Sequence, residues 1–104
     1  MRFKGYYTYN NEKKPTEFNL IKKTDTTIYG EGKDDGGNYT IEGKITKSGR
    51  IDFEKYYMGT NKVFLFGRAV MKSGDIDRLY GCWEIKDVCS GDFEYNLYKW
   101  ISYQ

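Results

Sequence analysis

The sequence predicts an all-β protein, a single domain over residues 1–104 built as one eight-stranded antiparallel meander that closes into a small β-barrel. Composition is the first reason: eleven tyrosines, six phenylalanines and two tryptophans stand against one alanine and four leucines. Aromatic residues favour strands, whereas Ala and Leu favour helices. The second reason is the regular alternation of short apolar–polar segments with Gly, Asn, Asp and Ser turns.

Four strands are predicted in the first half of the chain. They cover residues 2–9, 17–22, 27–32 and 38–46. The run Asp34-Asp35-Gly36-Gly37 separates the third strand from the fourth and is the clearest hairpin signal, because Asp and Gly accept the positive φ of tight turns. In the fourth strand Tyr39, Ile41 and Ile45 alternate with polar residues, so these three side chains share the inner face.

Four more strands are predicted in the second half, each preceded by a glycine-containing turn. They cover residues 51–57, 62–71, a segment that includes 79–85, and a segment that follows Ser90-Gly91 and continues to 101. The fifth strand places Phe53, Lys55 and Tyr57 on one face, and the sixth has apolar residues on both faces. No segment has the period of a helix.

Short connections and strand-interior glycines predict how these strands assemble. Connections this short join neighbouring strands antiparallel, since a parallel crossover needs a dozen residues or more. The glycines that fall within strands, mostly on the inner face, are Gly5, Gly30 or Gly32, Gly43, Gly67 and Gly81. Glycine inside a strand often marks a sharp bend, so we favour a barrel over a two-sheet sandwich.

The inner face of this barrel predicts a ligand-binding cup. The side chains expected to line it are Tyr7, Tyr39, Phe53, Lys55, Trp83 and Tyr95. Tyrosine offers a flat apolar ring and one hydroxyl, and an inward lysine requires an anion when it is buried. We therefore expect a non-enzymatic barrel that holds a small anionic or aromatic ligand. The simpler interpretation is that the tyrosines fill the core and that Lys55 reaches solvent or is turned outward by a bulge.

Outward-facing aromatic residues support a second hypothesis. In this alternative the interior is packed, and the barrel binds or inhibits a protein partner, or forms a homodimer, through an exposed patch. The patch would comprise Phe64, Phe66, Tyr98 and Trp100. A cavity with Lys55 in its lining would favour the ligand-binding cup, whereas a filled interior with a contiguous outer patch would favour the protein-binding surface.

The absence of histidine and the near-balance of charge exclude several function classes. Without histidine there is no Ser-His-Asp triad, Cys-His dyad or imidazole metal site. No spacing pairs an acid with a base, so we expect no catalytic residue, metal or cofactor. The 17 basic and 15 acidic residues give a net charge of +2, which argues against nucleic acid as a partner.

The cysteines and the N-terminal segment bear on the compartment. No apolar run reaches the ~18 residues of a membrane span, and the first residues lack the apolar segment of a secretory signal. If Cys82 and Cys89 lie in a hairpin that turns near Val88, the partner of Cys82 is near Tyr95. About four strand steps of ~3.3 Å then separate the two thiols, beyond the reach of a disulfide. We expect free thiols and a cytoplasmic location.

Two tripeptides, Gly81-Cys82-Trp83 and Gly91-Asp92-Phe93, accompany the eight-stranded meander. With that meander they resemble the calycin-type barrels, which include lipocalins, fatty-acid-binding proteins and avidins and share a Gly-x-Trp signature. In those families the signature lies in the first strand, whereas here it lies in the seventh. The resemblance therefore concerns architecture and transfers no ligand-binding residue. It implies a cup open at one end.

Overall fold

The computed structural model describes residues 1–59, 62–86 and 89–98, and it has the predicted all-β fold. The eight strands form one closed antiparallel barrel in the order of the sequence. They are β1 (Arg2–Tyr9), β2 (Glu12–Lys23), β3 (Thr27–Asp34), β4 (Gly37–Ile45), β5 (Arg50–Tyr57), β6 (Lys62–Lys72), β7 (Asp75–Ile85) and β8 (Cys89–Tyr98). Among the described residues, no helix is long and apolar enough to span a membrane.

The first and last strands close the barrel, and a glycine allows their close approach. β1 pairs antiparallel with β8, with Gly5 opposite Tyr95. A Cβ atom on Gly5 would lie 1.7 Å from the backbone oxygen of Glu94, so no larger residue fits at this point. Gly67 and Gly81 form a similar pair between β6 and β7. These contacts agree with the interpretation that interior glycines mark sharply coiled strands.

The two ends of the barrel differ in how their interior is filled. We define the closed end as the one with the β2–β3, β4–β5 and β6–β7 loops, and the open end as the other. Near the closed end the Phe3 and Phe18 rings stack at a centroid distance of 5.1 Å. The buried apolar residues that fill this half include Phe3, Phe18, Ile28, Ile45, Ile51, Ala69, Ile76 and Leu79. This half is packed, and the cavity inside the barrel lies toward the open end.

Two strands extend further than their sequence patterns predict. β2 begins at Glu12 and contains Pro15, which pairs with Tyr6 of β1. Pairing of β2 with β3 starts at Thr16. Within the described residues the proline therefore lies where β2 pairs with β1 alone, and its missing N–H is tolerated. β3 continues to Asp34, and the alternation of that strand places the Asp34 side chain on the inner face.

The β7–β8 hairpin differs from the predicted register. Cys82 pairs with Asp92, and the residue opposite Tyr95 is Leu79, so the predicted partner of Cys82 was wrong. The last strand begins at Cys89, opposite Ile85, so the prediction that it follows Ser90-Gly91 was wrong and both residues lie within the strand. Cys82 is an exposed free thiol. The cytoplasmic location inferred from free thiols stays a prediction.

Candidate functional site

A cavity of about 370 Å³ opens at the open end of the barrel. This volume lies toward the lower end of the roughly 300–1,000 Å³ typical of small-molecule sites. The residues around it are Tyr7, Tyr9, Lys14, Asp35, Gly36, Lys55, Tyr57, Val63, Leu65, Trp83, Ile85, Phe93 and Tyr95. We call this cavity the cup. Its lining comes from six strands and the β3–β4 turn.

Four of the six side chains predicted to line the cup are in its lining: Tyr7, Lys55, Trp83 and Tyr95. Phe53 is also on the inner face, but it is two residues deeper than Lys55, fully buried, with its ring over Gly43. Tyr39 lies behind Lys55, whose Nζ is 4.2 Å from the centre of the Tyr39 ring. Both therefore support the cup from outside its lining.

Lys55 points inward and is buried, with 4 % of its surface exposed. The anion that neutralises its charge is a side chain of the protein itself. The Lys55 Nζ atom donates to Asp34 Oδ2 at 2.6 Å, and the Asp34 side chain has no exposed surface. The expectation that Lys55 reaches solvent or turns outward is therefore wrong. The requirement for an anion is met by Asp34, so it does not by itself call for a charged ligand.

Three further donors hold the Asp34 carboxylate. The Tyr57 hydroxyl donates at 2.7 Å, Thr16 Oγ1 at 3.1 Å and the Gly36 backbone N–H at 2.8 Å. With the Lys55 ammonium, these donors account for both carboxylate oxygens. Each carboxylate oxygen accepts from at least two donors, because the Tyr57 hydroxyl lies within 2.8 Å of both oxygens. The ion pair is therefore a rigid part of the wall of the cup.

Three tyrosine rings also lie near the Lys55 ammonium, which remains in the lining of the cup. Its Nζ is 4.9 Å from the ring centre of Tyr57 and 5.1 Å from that of Tyr7, in addition to the contact with Tyr39. Cations are attracted to the faces of aromatic rings at these distances. Burial is the main cause that raises the pKa of Tyr57 above its usual 10.0, and the hydrogen bond to Asp34 adds to it.

Three hydroxyl groups form a buried triangle beneath the ion pair. Thr16 Oγ1 is 2.8 Å from the Tyr39 hydroxyl, which is 3.1 Å from that of Tyr95. One chain of donors runs from Tyr95 to Tyr39, from Tyr39 to Thr16 and the Glu17 carbonyl at 2.9 Å, and from Thr16 to Asp34. Burial raises the pKa of Tyr39 far above its usual 10.0, so the phenol stays protonated as this chain requires.

The opposite wall of the cup is apolar and comes from three neighbouring strands. Its members on β6, β7 and β8 are Val63, Leu65, Trp83, Ile85 and Phe93. Trp83 is fixed by its indole Nε1, which donates to the Thr8 carbonyl at 2.9 Å, and Tyr9 stacks on it at 6.2 Å. Gly91 leaves room for this bond, because a Cβ there would lie 2.6 Å from Nε1.

Polar groups occupy the rim of the cup. The Tyr7 hydroxyl donates to Asp35 in the β3–β4 turn, and Lys14 Nζ lies 3.4 Å from the same carboxylate. The hydrogen bond from Tyr7 is the main cause that holds the pKa of Asp35 below its usual value. Burial is the main cause that raises the pKa of Tyr7, with the Asp35 hydrogen bond next.

Four residues at the strand ends and in the β3–β4 turn belong to the site but were not predicted from the sequence: Lys14, Asp34, Asp35 and Gly36. For Asp34 a signal was present, because the inner-face positions Ile28, Gly30 and Gly32 continue to it with period 2. Asp34 was instead assigned to the hairpin turn, because it begins the run Asp34-Asp35-Gly36-Gly37. For Asp35 and Gly36 the signal is topological, since the β3–β4 turn lies at the same end as Tyr7 and Tyr57.

The outward aromatic residues lie in separate places. Phe64 and Phe66 stack on the outer face of β6 at 6.3 Å, with Phe66 37 % exposed. Tyr98 is on β8, next to Arg2 of β1, and Lys4 covers its ring. β7 runs between β6 and β8. Trp100 lies outside the described residues.

Across the described part of the chain, no three His, Cys, Asp or Glu side chains are grouped so that they could hold a metal ion. The acidic groups nearest the cup, Asp34 and Asp35, are engaged with the Lys and Tyr donors described above. In comparisons with known proteins, no family model, curated sequence or solved structure matches the chain. The function of the protein is therefore inferred from the geometry of the cup.

Proposed function

We propose that this protein is a non-enzymatic binding barrel that holds one small aromatic ligand in the cup. The observation that carries the proposal is the cavity of about 370 Å³ with Lys55 in its lining. A calycin-like role, in which an antiparallel barrel with one closed and one open end carries a small molecule, agrees with this arrangement. We place this role in the cytoplasm, where Cys82 would remain a thiol.

The cup suits a flat ligand of modest size. The Trp83 indole and the Phe93 ring present apolar surface, and the Tyr9 ring covers Trp83 from the rim. Removal of apolar ligand surface from water contributes roughly 25 cal/mol per Å², against which stands the entropy lost on association. The hydrogen bonds of Trp83, Tyr57 and Tyr95 are made within the protein, so little rearrangement opposes binding.

A second candidate function is protein binding through the outer face of β6. The stacked pair Phe64 and Phe66, the latter 37 % exposed, favours it. The neighbouring strands present Asp52 and Glu84 beside these rings, so a partner with basic groups would be complementary. We rank this function below the cup because the interior is open, and because β7 separates the phenylalanines from Tyr98.

Neighbouring residues on opposite faces of β6 allow a direct test. Val63→Trp would fill the cup, whereas Phe64→Trp adds a similar side chain to the outer face. The probes are 2-naphthamide, 2-naphthoate and 2-naphthylmethylammonium, followed by amide NMR shifts and native mass spectrometry. We expect at least one probe to bind the wild type and Phe64→Trp, and none to bind a folded Val63→Trp variant. Absence of binding to the wild type, or binding unaffected by Val63→Trp, would overturn the proposal.

A further inference from the structure

The charged groups of the cup are paired among themselves, and this bears on the charge of its ligand. The charged residues in the lining are Lys14, Asp35 and Lys55. Lys14 lies 3.4 Å from Asp35, and Lys55 lies 2.6 Å from Asp34, just behind the lining. The two pairs have no net charge. An ion that enters the cup thus loses its hydration shell without meeting an unpaired opposite charge.

An anionic ligand at Lys55 would also meet Asp34. An oxygen that bound the free side of the Lys55 ammonium would lie within about 5 Å of the Asp34 carboxylate, a distance at which like charges repel strongly in a partly buried site. The carboxylate cannot readily move away, because Tyr57, Thr16 and the Gly36 N–H hold it. A cationic ligand would likewise be repelled by the ammonium group of Lys55.

The lining is also divided into two sides. Tyr7, Asp35, Lys55 and Tyr57, on β1, the β3–β4 turn and β5, bring polar groups to one side, and the apolar wall on β6, β7 and β8 is on the other. The Lys55 ammonium has three donors, and one of them is bound to Asp34. An uncharged acceptor, such as a carbonyl or amide oxygen, is the group that this side can receive without repulsion from Asp34.

We propose that the cup selects an uncharged planar ligand, whose acceptor group faces Lys55 and whose ring lies against Val63, Leu65 and Trp83. This inference deepens the proposed function and rests on it. It assigns the ligand class as neutral aromatic carbonyl or amide compounds. It also assigns the Lys55–Asp34 pair as the element that rejects ions of either sign.

The three naphthalene probes test the selection, because they share one ring and differ in charge. We expect wild-type protein to bind 2-naphthamide at least about tenfold more tightly than 2-naphthoate or 2-naphthylmethylammonium at neutral pH. Intermolecular NOEs should connect the naphthalene ring to the Val63 and Leu65 methyl groups. Tighter binding of an ion, or NOEs that place the ring against Lys55 and Tyr57, would overturn the inference while the cup remains. Failure of all three probes would instead overturn the proposed function.

Charge variants provide a second test. Asp34→Asn leaves Lys55 without its anion, so the preference for the amide over the naphthoate should fall several-fold. Glu31→Gln removes the same charge from the outer face of β3 and should leave that preference unchanged. An equal effect of the two variants would show that general charge, not the buried pair, sets the selection. If Asp34→Asn does not fold, the ranking of the probes on wild-type protein decides the question.

Discussion

The Nζ atom of Lys55 lies 2.6 Å from Oδ2 of Asp34, and the two residues are 21 positions apart in the sequence. Both side chains are almost entirely shielded from solvent, at 5 % and 0 % exposure. A buried pair of this kind adds little net stability, since the cost of desolvation offsets the attraction. The loss of one member is costly, however, because it leaves an uncompensated buried charge.

The first prediction concerns the difference between removing one member of the buried ion pair and removing both. Lys55→Met should lower the free energy of unfolding by about 3–5 kcal/mol, because Asp34 loses its cation. The double variant Asp34→Asn/Lys55→Met should regain at least half of the loss, since no buried charge remains. Urea unfolding measures both.

Lys33→Met is the matched control, because Lys33 is exposed on the outer face of β3. Its effect on unfolding should stay within about 0.5 kcal/mol. If Lys55→Met were no more harmful than Lys33→Met, the buried ion pair would have no structural role.

The second prediction concerns alkaline pH. The pKa values of Tyr7, Tyr39 and Tyr57 are raised above the usual 10.0, chiefly by burial. The unfolded chain therefore loses these protons before the folded protein does. The stability that these three groups contribute is fully present below about pH 10 and falls as the pH rises further. Tyrosinate absorbance should show these groups ionising together with loss of the folded NMR spectrum. Their ionisation in a fully folded protein would contradict the buried network.

The third prediction concerns the rim. Tyr7→Phe removes the hydrogen bond that most lowers the pKa of Asp35, so this pKa should rise toward its usual 3.8. The stability that the bond contributes is present above the usual pKa and is lost as the pH falls through the folded value. At neutral pH the loss should stay below about 1 kcal/mol, because the Asp35 side chain is 48 % exposed.

Carboxyl NMR titration measures the Asp35 pKa directly. Tyr29→Phe is the control, because its hydroxyl bonds to Glu31 on the outer face and not to Asp35. An unchanged Asp35 pKa in Tyr7→Phe would show that Lys14 and the backbone hydrogen bond at Asp35, not Tyr7, account for the shift.

The fourth prediction concerns the anchor of Trp83. Gly91→Ala would bring a Cβ to 2.3 Å from the Thr8 oxygen and 2.6 Å from the indole nitrogen, so one of them must move. We expect a loss of about 1–3 kcal/mol and a shifted indole N–H resonance. Ser90→Ala, at the adjacent exposed position, should change neither. A normal indole resonance in Gly91→Ala would mean that Trp83 is not held by Thr8.

The inner and outer faces of the barrel were predictable because strands alternate with period 2. Once Ile41 and Ile45 are inward, every second residue of β4 must be inward, and the same holds for Phe53 and Lys55 on β5. The short hairpins then require neighbouring strands to pair. The fold class follows from these two regularities without any knowledge of distant contacts.

The depth of each residue along the barrel axis was not predictable in the same way. Depth depends on the stagger between strands, which the alternation of one strand does not encode. For this reason Phe53 lies deeper than the cup although it shares a face with Lys55. The pairing of Lys55 with Asp34 also depends on stagger, because a third strand, β4, lies between β3 and β5.

The projecting part of the β1–β2 hairpin also affects how copies of the chain meet. From Glu12 to Pro15, β2 pairs with no described residue on its β3 side, and an unpaired edge is where another polypeptide can add a strand and start aggregation. This edge carries two lysines, Lys13 and Lys14, followed by a proline. Charge and proline are the features by which natural sheets discourage strand addition. The open end of the barrel thus carries an edge whose lysines and proline disfavour the addition of a further strand.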